Sequence, residues 1–177
     1  MRQNAQNVSP MSNEGRNTYV IEHITNAMLE LLEEKPIEEI SISELVDSAQ
    51  VGRASFYRNF TCKEDIIKKH FDTHFNEWTS ELETKNDEPL SERFKIMISH
   101  FEKNRPFYEL LNKRGLTFLF KEAILNSMEL NPESEKSEAY MKAFAAYALY
   151  GWIETWFQRG MKESADEIAE LFKIFGL

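Results

Sequence analysis

The sequence predicts an all-α protein of about nine helices. Its 177 residues include only six Gly and five Pro, whereas the helix-forming residues Glu, Lys, Leu and Ala are frequent throughout. No segment alternates apolar and polar residues in the way that a half-buried strand does. Apolar residues instead recur at steps of three and four between clear breaks, which is the spacing of one buried face on a helix.

The composition indicates a globular protein and excludes several classes. A single cysteine, Cys62, rules out an internal disulfide and a paired-cysteine metal site. The first 15 residues lack the apolar run of a signal peptide, and the longest apolar stretch, 143–153, is too short to span a bilayer. We therefore expect a cytoplasmic protein that does not enter a membrane, with a disordered tail at 1–15.

The first helices are defined by an apolar stripe and by two capping patterns. The stripe predicts a helix over about Thr18–Glu34, which Pro36 ends. Ser41 and Glu44 have the spacing of a capping box, in which the serine oxygen accepts from a backbone amide and the glutamate reaches back, so a second helix begins there. The residues Thr61 and Glu64 repeat the spacing and start a long fourth helix that runs to about Lys85.

Five further helices are expected after the break at 86–91. The apolar stripe of the fifth is Phe94, Met97, Ile98 and Phe101; the sixth lies between Pro106 and a cap at Gly115; the seventh covers Leu116 to about Met128; the eighth covers Ala139–Arg159; and the ninth follows a third capping box at Ser164 and Glu167.

The segment at about 41–60 has the pattern of a helix-turn-helix. Apolar residues suit the contact between two short helices, and the exposed residues of the second helix are then Arg53, Ala54, Ser55, Tyr57, Arg58 and Asn59. Residues 51–70 hold five Lys and Arg against two Asp and Glu, whereas residues 1–50 hold three against nine, in a chain of net charge −9. The basic island favours a polyanionic partner, although the spacing alone is equally compatible with ordinary helix packing.

From Arg16 to about His70 the chain resembles the DNA-binding domain of the tetracycline-repressor (TetR) family of bacterial transcription regulators. The residues that carry the resemblance are Phe56, Tyr57, Phe60, Lys63 and Glu64, within the run LVDSAQVGRASFYRNFTCKEDII. The resemblance implies an all-α homodimer with a helix-turn-helix DNA-binding domain at 16–70 and an effector-binding and dimerisation domain at 71–177. It also implies a double-stranded DNA operator and an unknown small-molecule effector as partners.

The resemblance assigns roles to the exposed residues of the motif. It directs Arg53, Ala54 and Tyr57 toward bases and Ser55, Asn59 and Lys63 toward phosphates, and an arginine can indeed pair both its donors with a guanine. The candidate DNA contacts are completed by Ser41, Ser43 and Arg58.

Two residues of the turn depart from the family pattern. Gln50 stands where the family has Gly, and Gly52 stands where Ser or Thr caps the recognition helix. A non-glycine residue with positive φ costs about 1 kcal/mol, and glycine caps a helix nearly as well as serine. We expect the turn to form and the recognition helix to be slightly looser.

The eighth helix is apolar on nearly every side and therefore needs cover on every side. We expect the last two helices to form a four-helix dimer interface, the alternative being a fully internal helix. The interface candidates are Tyr140, Phe144, Ala148, Gly151, Trp152, Ile168, Leu171, Phe172 and Phe175.

Aromatic residues of the C-terminal part are candidates for a ligand pocket between the fourth and eighth helices, or else for simple core. They are Phe71, Phe75, Trp78, Phe94, Met97, Phe101, Tyr108, Phe118 and Tyr147. His70 and His74 are four residues apart, a spacing that can chelate a metal, but no third ligand accompanies them. Neither a metal nor a cofactor is expected.

The function expected from the sequence is ligand-responsive transcriptional repression. The protein would bind a palindromic operator as a homodimer and leave it when the effector binds. The alternative is an accessory protein of the same fold that has lost DNA binding and acts through protein contacts. An enzyme is not expected, because no nucleophile with its base, P-loop or dinucleotide fingerprint is present.

Overall fold

The computed structural model describes residues 13–83, 89–127, 131 and 133–174, and this part of the chain is all-α, as predicted. Its elements are α1 Asn13–Glu34, a 3₁₀ helix Ile37–Glu39, α2 Ile42–Ser48, α3 Arg53–Asn59, α4 Glu64–Glu83, α5 Leu90–Lys103, α6 Arg105–Lys113, α7 Phe118–Ser127, α8 Lys136–Gln158 and α9 Ala165–Ile174. None of the helices in these residues is long and apolar enough to cross a membrane.

The chain divides into two compact units at a position within α4. The N-terminal unit extends to Ile67 and the C-terminal unit begins at Lys68, three residues before the domain boundary expected from the sequence. The N-terminal unit has a closed apolar core in which the largest fully buried side chains are Ile24, Met28, Leu32, Ile40, Leu45, Phe56, Ile66 and Ile67.

The C-terminal unit is organised around buried aromatic rings. Tyr108 stacks on Phe157 with ring centroids 5.8 Å apart, and its ring also meets Phe101 edge-on at 4.6 Å. The Trp156 side chain is 1% exposed, and its Nε1 donates to the Glu163 carbonyl over 2.9 Å, so its polar atom is satisfied inside the core.

Three expected helix starts differ from the structure. The α1 helix begins at Asn13, so residues 13–15 are helical rather than disordered; one extra turn on an existing helix needs no apolar stripe. The capping box of Thr61 and Glu64 is wrong, because the Asp65 carboxylate accepts from the Thr61 and Cys62 amides at 2.8 and 3.1 Å. The α8 helix begins at Lys136, a turn early, because the Glu135 carboxylate accepts from the amides of residues 137 and 138.

The ends of α6 and α8 share one hydrogen-bond pattern. After α6, Gly115 has φ +69°, its amide donates to Asn112, and the Leu116 amide donates to Leu111. After α8, Gly160 has φ +78°, and the same pair of bonds runs from residues 160 and 161 to 157 and 156. This is the Schellman motif, in which the residue after the helix is left-handed and is usually glycine.

Candidate nucleic-acid interface

The start of α2 is held by a cap and an ion pair. The Ser41 hydroxyl, one of the candidate DNA contacts, accepts from the Glu44 amide at 3.2 Å, as predicted. The Glu44 carboxylate does not reach back but accepts from Lys35 Nζ at 2.6 Å, and this hydrogen bond lowers the pKa of Glu44. The end of α1 is thereby tied to the first turn of α2.

The turn between α2 and α3 is a third Schellman motif, with glutamine in the place of glycine. Gln50 has φ +55°; its amide donates to Asp47 at 3.1 Å, and the Val51 amide donates to Val46 at 3.0 Å. The expected positive φ at Gln50 is confirmed. The turn is therefore fully hydrogen-bonded although its left-handed residue carries a side chain.

The helix α3 has Gly52 as its N-cap and therefore begins without a side-chain cap. The Gly52 carbonyl accepts from the Ser55 and Phe56 amides at 2.9 and 3.4 Å, so the backbone enters the helix normally. A Cβ atom at Gly52 would meet nothing within 4 Å. Phe56 and Phe60 are buried beneath the helix, 0% and 4% exposed, and fix its inner face.

The outer face of α3 carries the residues assigned to bases. Arg53, Ala54, Tyr57 and Arg58 are exposed, and Tyr57 presents 61% of its surface. The Arg53 guanidinium donates to the Ser43 hydroxyl, which brings together two candidate contacts from different helices.

The candidates assigned to phosphates are less available. Ser55 and Asn59 are half-buried, and Asn59 Nδ2 donates to the Ser55 carbonyl at 2.9 Å. Lys63 Nζ donates to the carbonyl oxygens of Ile37 and Ile40, the latter at 2.6 Å. The sequence did not indicate either bond, because a lysine that reaches back 23 to 26 residues to main-chain atoms leaves no pattern in side-chain types.

Most of the ligand-pocket candidates lie in the core of the C-terminal unit. Phe71, Phe94, Met97, Phe101 and Tyr108 are buried, and Phe75 is half-buried. Phe118 and Tyr147 are 47% and 52% exposed instead, and the Trp78 side chain lies outside the described residues.

A groove of about 480 Å³ lies between α8 and α9. It is lined by Tyr147, Ala148, Gly151, Trp152, Thr155, Trp156, Arg159, Glu163, Ile168 and Leu171. Five of these are interface candidates. Two of the remaining interface candidates, Tyr140 and Phe144, are 72% and 63% exposed. The other two, the Phe172 side chain and Phe175, lie outside the described part of the chain. Thr155, Arg159 and Glu163 were not anticipated; Thr155 is on α8, Arg159 is its C-cap, and Glu163, in the loop before α9, forms an ion pair with Arg159.

A histidine cluster lies beside α6. His74 Nε2 is 3.2 Å from His70 Nε2, and the His100 ring centroid is 5.8 Å from that of His74. Burial, followed by the charge of His74, lowers the pKa of His70 to about 4. In the residues that the structure describes, no three candidate ligands are grouped so as to hold a metal ion.

Comparison with known proteins identifies the class. Residues 24–69 match the family model described as bacterial regulatory proteins, tetR family, and residues 88–175 match that of a transcriptional regulator C-terminal region. The fold is similar to that of Lin0861 from Listeria innocua, with a TM-score of 0.72, 16% identity and 94% of each chain covered. It is also similar to a TetR transcriptional regulator from Streptococcus agalactiae 2603V, with a TM-score of 0.57, 18% identity, and 90% of this chain and 94% of that one covered. No curated protein matches the sequence.

The two family models together cover the helix-turn-helix and most of the C-terminal unit. The matched domains, a helix-turn-helix and a transcriptional regulator C-terminal region, are those of DNA-binding transcriptional regulators. The chain belongs to the TetR family of bacterial transcription regulators.

Proposed function

We propose that this protein is a ligand-responsive repressor that binds a palindromic operator as a homodimer and is released by a small-molecule effector. The observation that carries the proposal is α3, which buries Phe56 and Phe60 and exposes Arg53, Ala54 and Tyr57. A short helix with this division can enter a major groove without disturbing its own core. In a twofold dimer, two such helices meet successive grooves when they are about 34 Å apart.

The proposed contacts of α3 with bases can be tested by selecting preferred operator sequences from a random DNA pool with the unmodified protein and with variants, and comparing the sequence preferences. Arg53→Ala should relax preference at one base pair by about 1 to 3 kcal/mol, because a paired contact to a guanine is lost. Arg58→Ala, a matched loss of one exposed arginine on the same helix, should leave the preferred sequence unchanged. Identical sequence profiles for the two variants would contradict the assignment of Arg53.

Dimerisation is proposed to use the apolar face of α8 and the groove beside it. Tyr140, Met141, Phe144 and Tyr147 are each more than half exposed, whereas large apolar patches on a monomer usually mark an interaction site. Phe144→Glu should convert dimers to monomers in sedimentation experiments while the helical content is kept. Tyr19→Glu, which replaces a 54% exposed aromatic in the N-terminal unit, is the control and should remain dimeric.

Effector release is proposed to act through α4, the helix shared by the two units. A ligand that separates the buried aromatic rings around Phe71 and Tyr108 would shift α4 and the DNA-binding unit attached to it. A differential affinity of about 3 kcal/mol between two states changes operator affinity roughly a hundredfold. Solution structures of the free and effector-bound dimers should differ in the separation of the two recognition helices; equal separations would count against this mechanism.

The acidic first fifty residues favour a second candidate, an accessory protein of the same fold that acts through protein contacts. Residues 1–50 hold three basic residues against nine acidic ones, a balance that repels DNA. Gel shifts on the promoter of the protein's own gene, repeated over a range of salt concentrations, separate the two functions. A shift that is specific to the promoter sequence and weakens with salt supports the repressor, and no shift at low salt without ligand supports the accessory protein.

A further inference from the structure

We propose that Lys63 positions the reading head, the helix-turn-helix at about residues 41–60, by clamping the connection between α1 and α2. In this proposal Lys63 affects DNA binding through this connection rather than by contacting a phosphate. The DNA-binding consequence rests on the proposed function, but the clamp itself does not. Its basis is the ammonium of Lys63, which donates to the carbonyl oxygens of Ile37 and Ile40.

These carbonyls are good acceptors for a cation. Ile37 is the first residue of the 3₁₀ helix Ile37–Glu39 and Ile40 is its C-cap. The Ile37 carbonyl already accepts from the Ile40 amide at 3.2 Å, but a carbonyl oxygen has a second lone pair that a charged donor can use. The side chains of Ile37 and Ile40 are 2% and 1% exposed, so the backbone between them is fixed to the core. An ammonium has three donors, and two of those of Lys63 are already used in charge-assisted bonds.

The clamp leads directly to the residues that face DNA. Ile40 is followed by Ser41, whose hydroxyl caps α2, and Ser43 on α2 accepts from Arg53 of the recognition helix. A displacement of the Ile40 carbonyl would therefore move the start of α2 and the partner of Arg53.

The base of the lysine is itself well anchored. The Asp65 carboxylate accepts from the amides of Thr61 and Cys62, and the Lys63 carbonyl accepts from the Ile66 amide at 3.2 Å. The start of α4 and the start of α2 are thus joined through one side chain, which gives the helix-turn-helix a fixed frame outside its own turn.

The test uses the full-length protein with Lys63→Met, which keeps the apolar stem, and Lys63→Arg, which keeps the charge. Arg58→Met, the loss of an exposed cation on α3, is the matched control. Amide hydrogen exchange is followed at Ile40 and Leu45, whose amides donate to Ile37 and Ser41. Operator affinity is measured in parallel over a range of salt concentrations.

If Lys63 acts as the clamp, Lys63→Met should speed exchange at both amides about tenfold and weaken operator binding about tenfold. The slope of log affinity against log salt concentration should be unchanged. Lys63→Arg should also speed this exchange, because a planar guanidinium replaces the single nitrogen that serves both carbonyls. Arg58→Met should leave exchange at these amides as it is in the unmodified protein.

Unchanged exchange in Lys63→Met would overturn the proposal, as would a salt slope reduced by about 0.9, the value for one lost phosphate contact. If Lys63→Met does not fold, Lys63→Arg decides the question, and unchanged exchange in that variant overturns the clamp. If the unmodified protein binds no DNA, the proposed function fails while the exchange measurement still decides the clamp.

Discussion

Replacing Gln50 by glycine should stabilise the N-terminal unit, because the turn of the helix-turn-helix uses the same backbone motif as two other helix ends of this chain. The left-handed residue is Gly115 after α6 and Gly160 after α8, with φ +69° and +78°, but Gln50 after α2, with φ +55°. Met161, which follows Gly160, is also left-handed, with φ +54°. Among the three Schellman motifs described, however, only the one between α2 and α3 has a residue with a Cβ atom at the position that glycine usually takes.

The expected gain is about 1 kcal/mol in the free energy of unfolding. Holding an L-residue in the left-handed region costs roughly 1 to 2 kcal/mol, which glycine would relieve. Glycine also gains freedom in the unfolded chain, which offsets about 0.4 to 1 kcal/mol of that relief. For a unit of this size, a net gain of about 1 kcal/mol corresponds to a rise in Tm of about 4 to 8 °C.

The assay is urea and thermal unfolding of the full-length protein, followed by circular dichroism and by amide exchange in the N-terminal unit. Gln50→Ala removes the amide group but keeps the Cβ atom, so it should change stability by less than about 0.5 kcal/mol. Gly115→Ala is the reverse experiment. A Cβ at Gly115 meets nothing within 4 Å, so the expected loss of about 1 kcal/mol would report backbone strain alone.

The reasoning would be refuted if Gln50→Gly were no more stable than Gln50→Ala. It would also fail if Gly115→Ala were neutral, because the left-handed conformation would then carry no measurable cost in this protein. Either result would mean that the family preference for glycine in the turn has another origin.

Three further predictions concern caps and titration. Gly52→Ser should stabilise α3 by only about 0.3 kcal/mol and slow amide exchange in its first turn slightly, because the open space at Gly52 admits a capping hydroxyl. Asp65→Ala should cost about 1 kcal/mol in urea unfolding through loss of the two hydrogen bonds that hold the turn before α4, whereas Glu64→Ala should cost less than half as much. The pKa of His70 is lowered to about 4 in the folded protein, below the unfolded value near 6.5, so the folded state binds fewer protons between these values. The contribution of His70 to stability is complete above about pH 6.5 and is lost as the pH falls to about 4. Because the ring is partly exposed, the free energy of unfolding in urea should fall by only about 1 to 2 kcal/mol over this range. His70→Gln should remove this pH dependence, whereas His23→Gln should keep it.

Apolar periodicity predicted the helices well because it records what is buried. The stripe of α5 is an example: Phe94, Met97, Ile98 and Phe101 are all at most 6% exposed. Helix ends were predicted less well, since a cap depends on which of several nearby polar side chains reaches the amides. Ser164 and Glu167 form the expected capping box, with bonds of 2.8 and 3.3 Å, whereas Asp65 replaces the expected partners at α4.

The outer residues of the reading head followed from the sequence, but their hydrogen bonds did not. Helical spacing places Tyr57 outside and Phe56 inside, and both are found there. The bonds of Lys63 and Arg53 join residues that are distant in sequence and depend on side-chain reach, which spacing does not encode. The ligand-pocket candidates could not be separated from core residues for a similar reason: an aromatic residue in a core and one beside a cavity recur in the sequence with the same helical spacing.

The positive charge counted over residues 51–70 overstates what the fold offers to DNA. Lys63 is committed to backbone carbonyls, and Lys68 pairs with Glu122 at 2.6 Å. The cations on the outer face of α3 are Arg53 and Arg58, and Arg53 is also one of the residues assigned to a base. With so few charges, the helix-turn-helix has little affinity to gain from phosphates alone, so we expect the proposed operator binding to depend on the fit of Arg53, Ala54 and Tyr57 to the groove. The hydrogen-bonded turn at Gln50 and the frame around Lys63 matter for that reason, because recognition that depends on fit requires a helix held in one orientation.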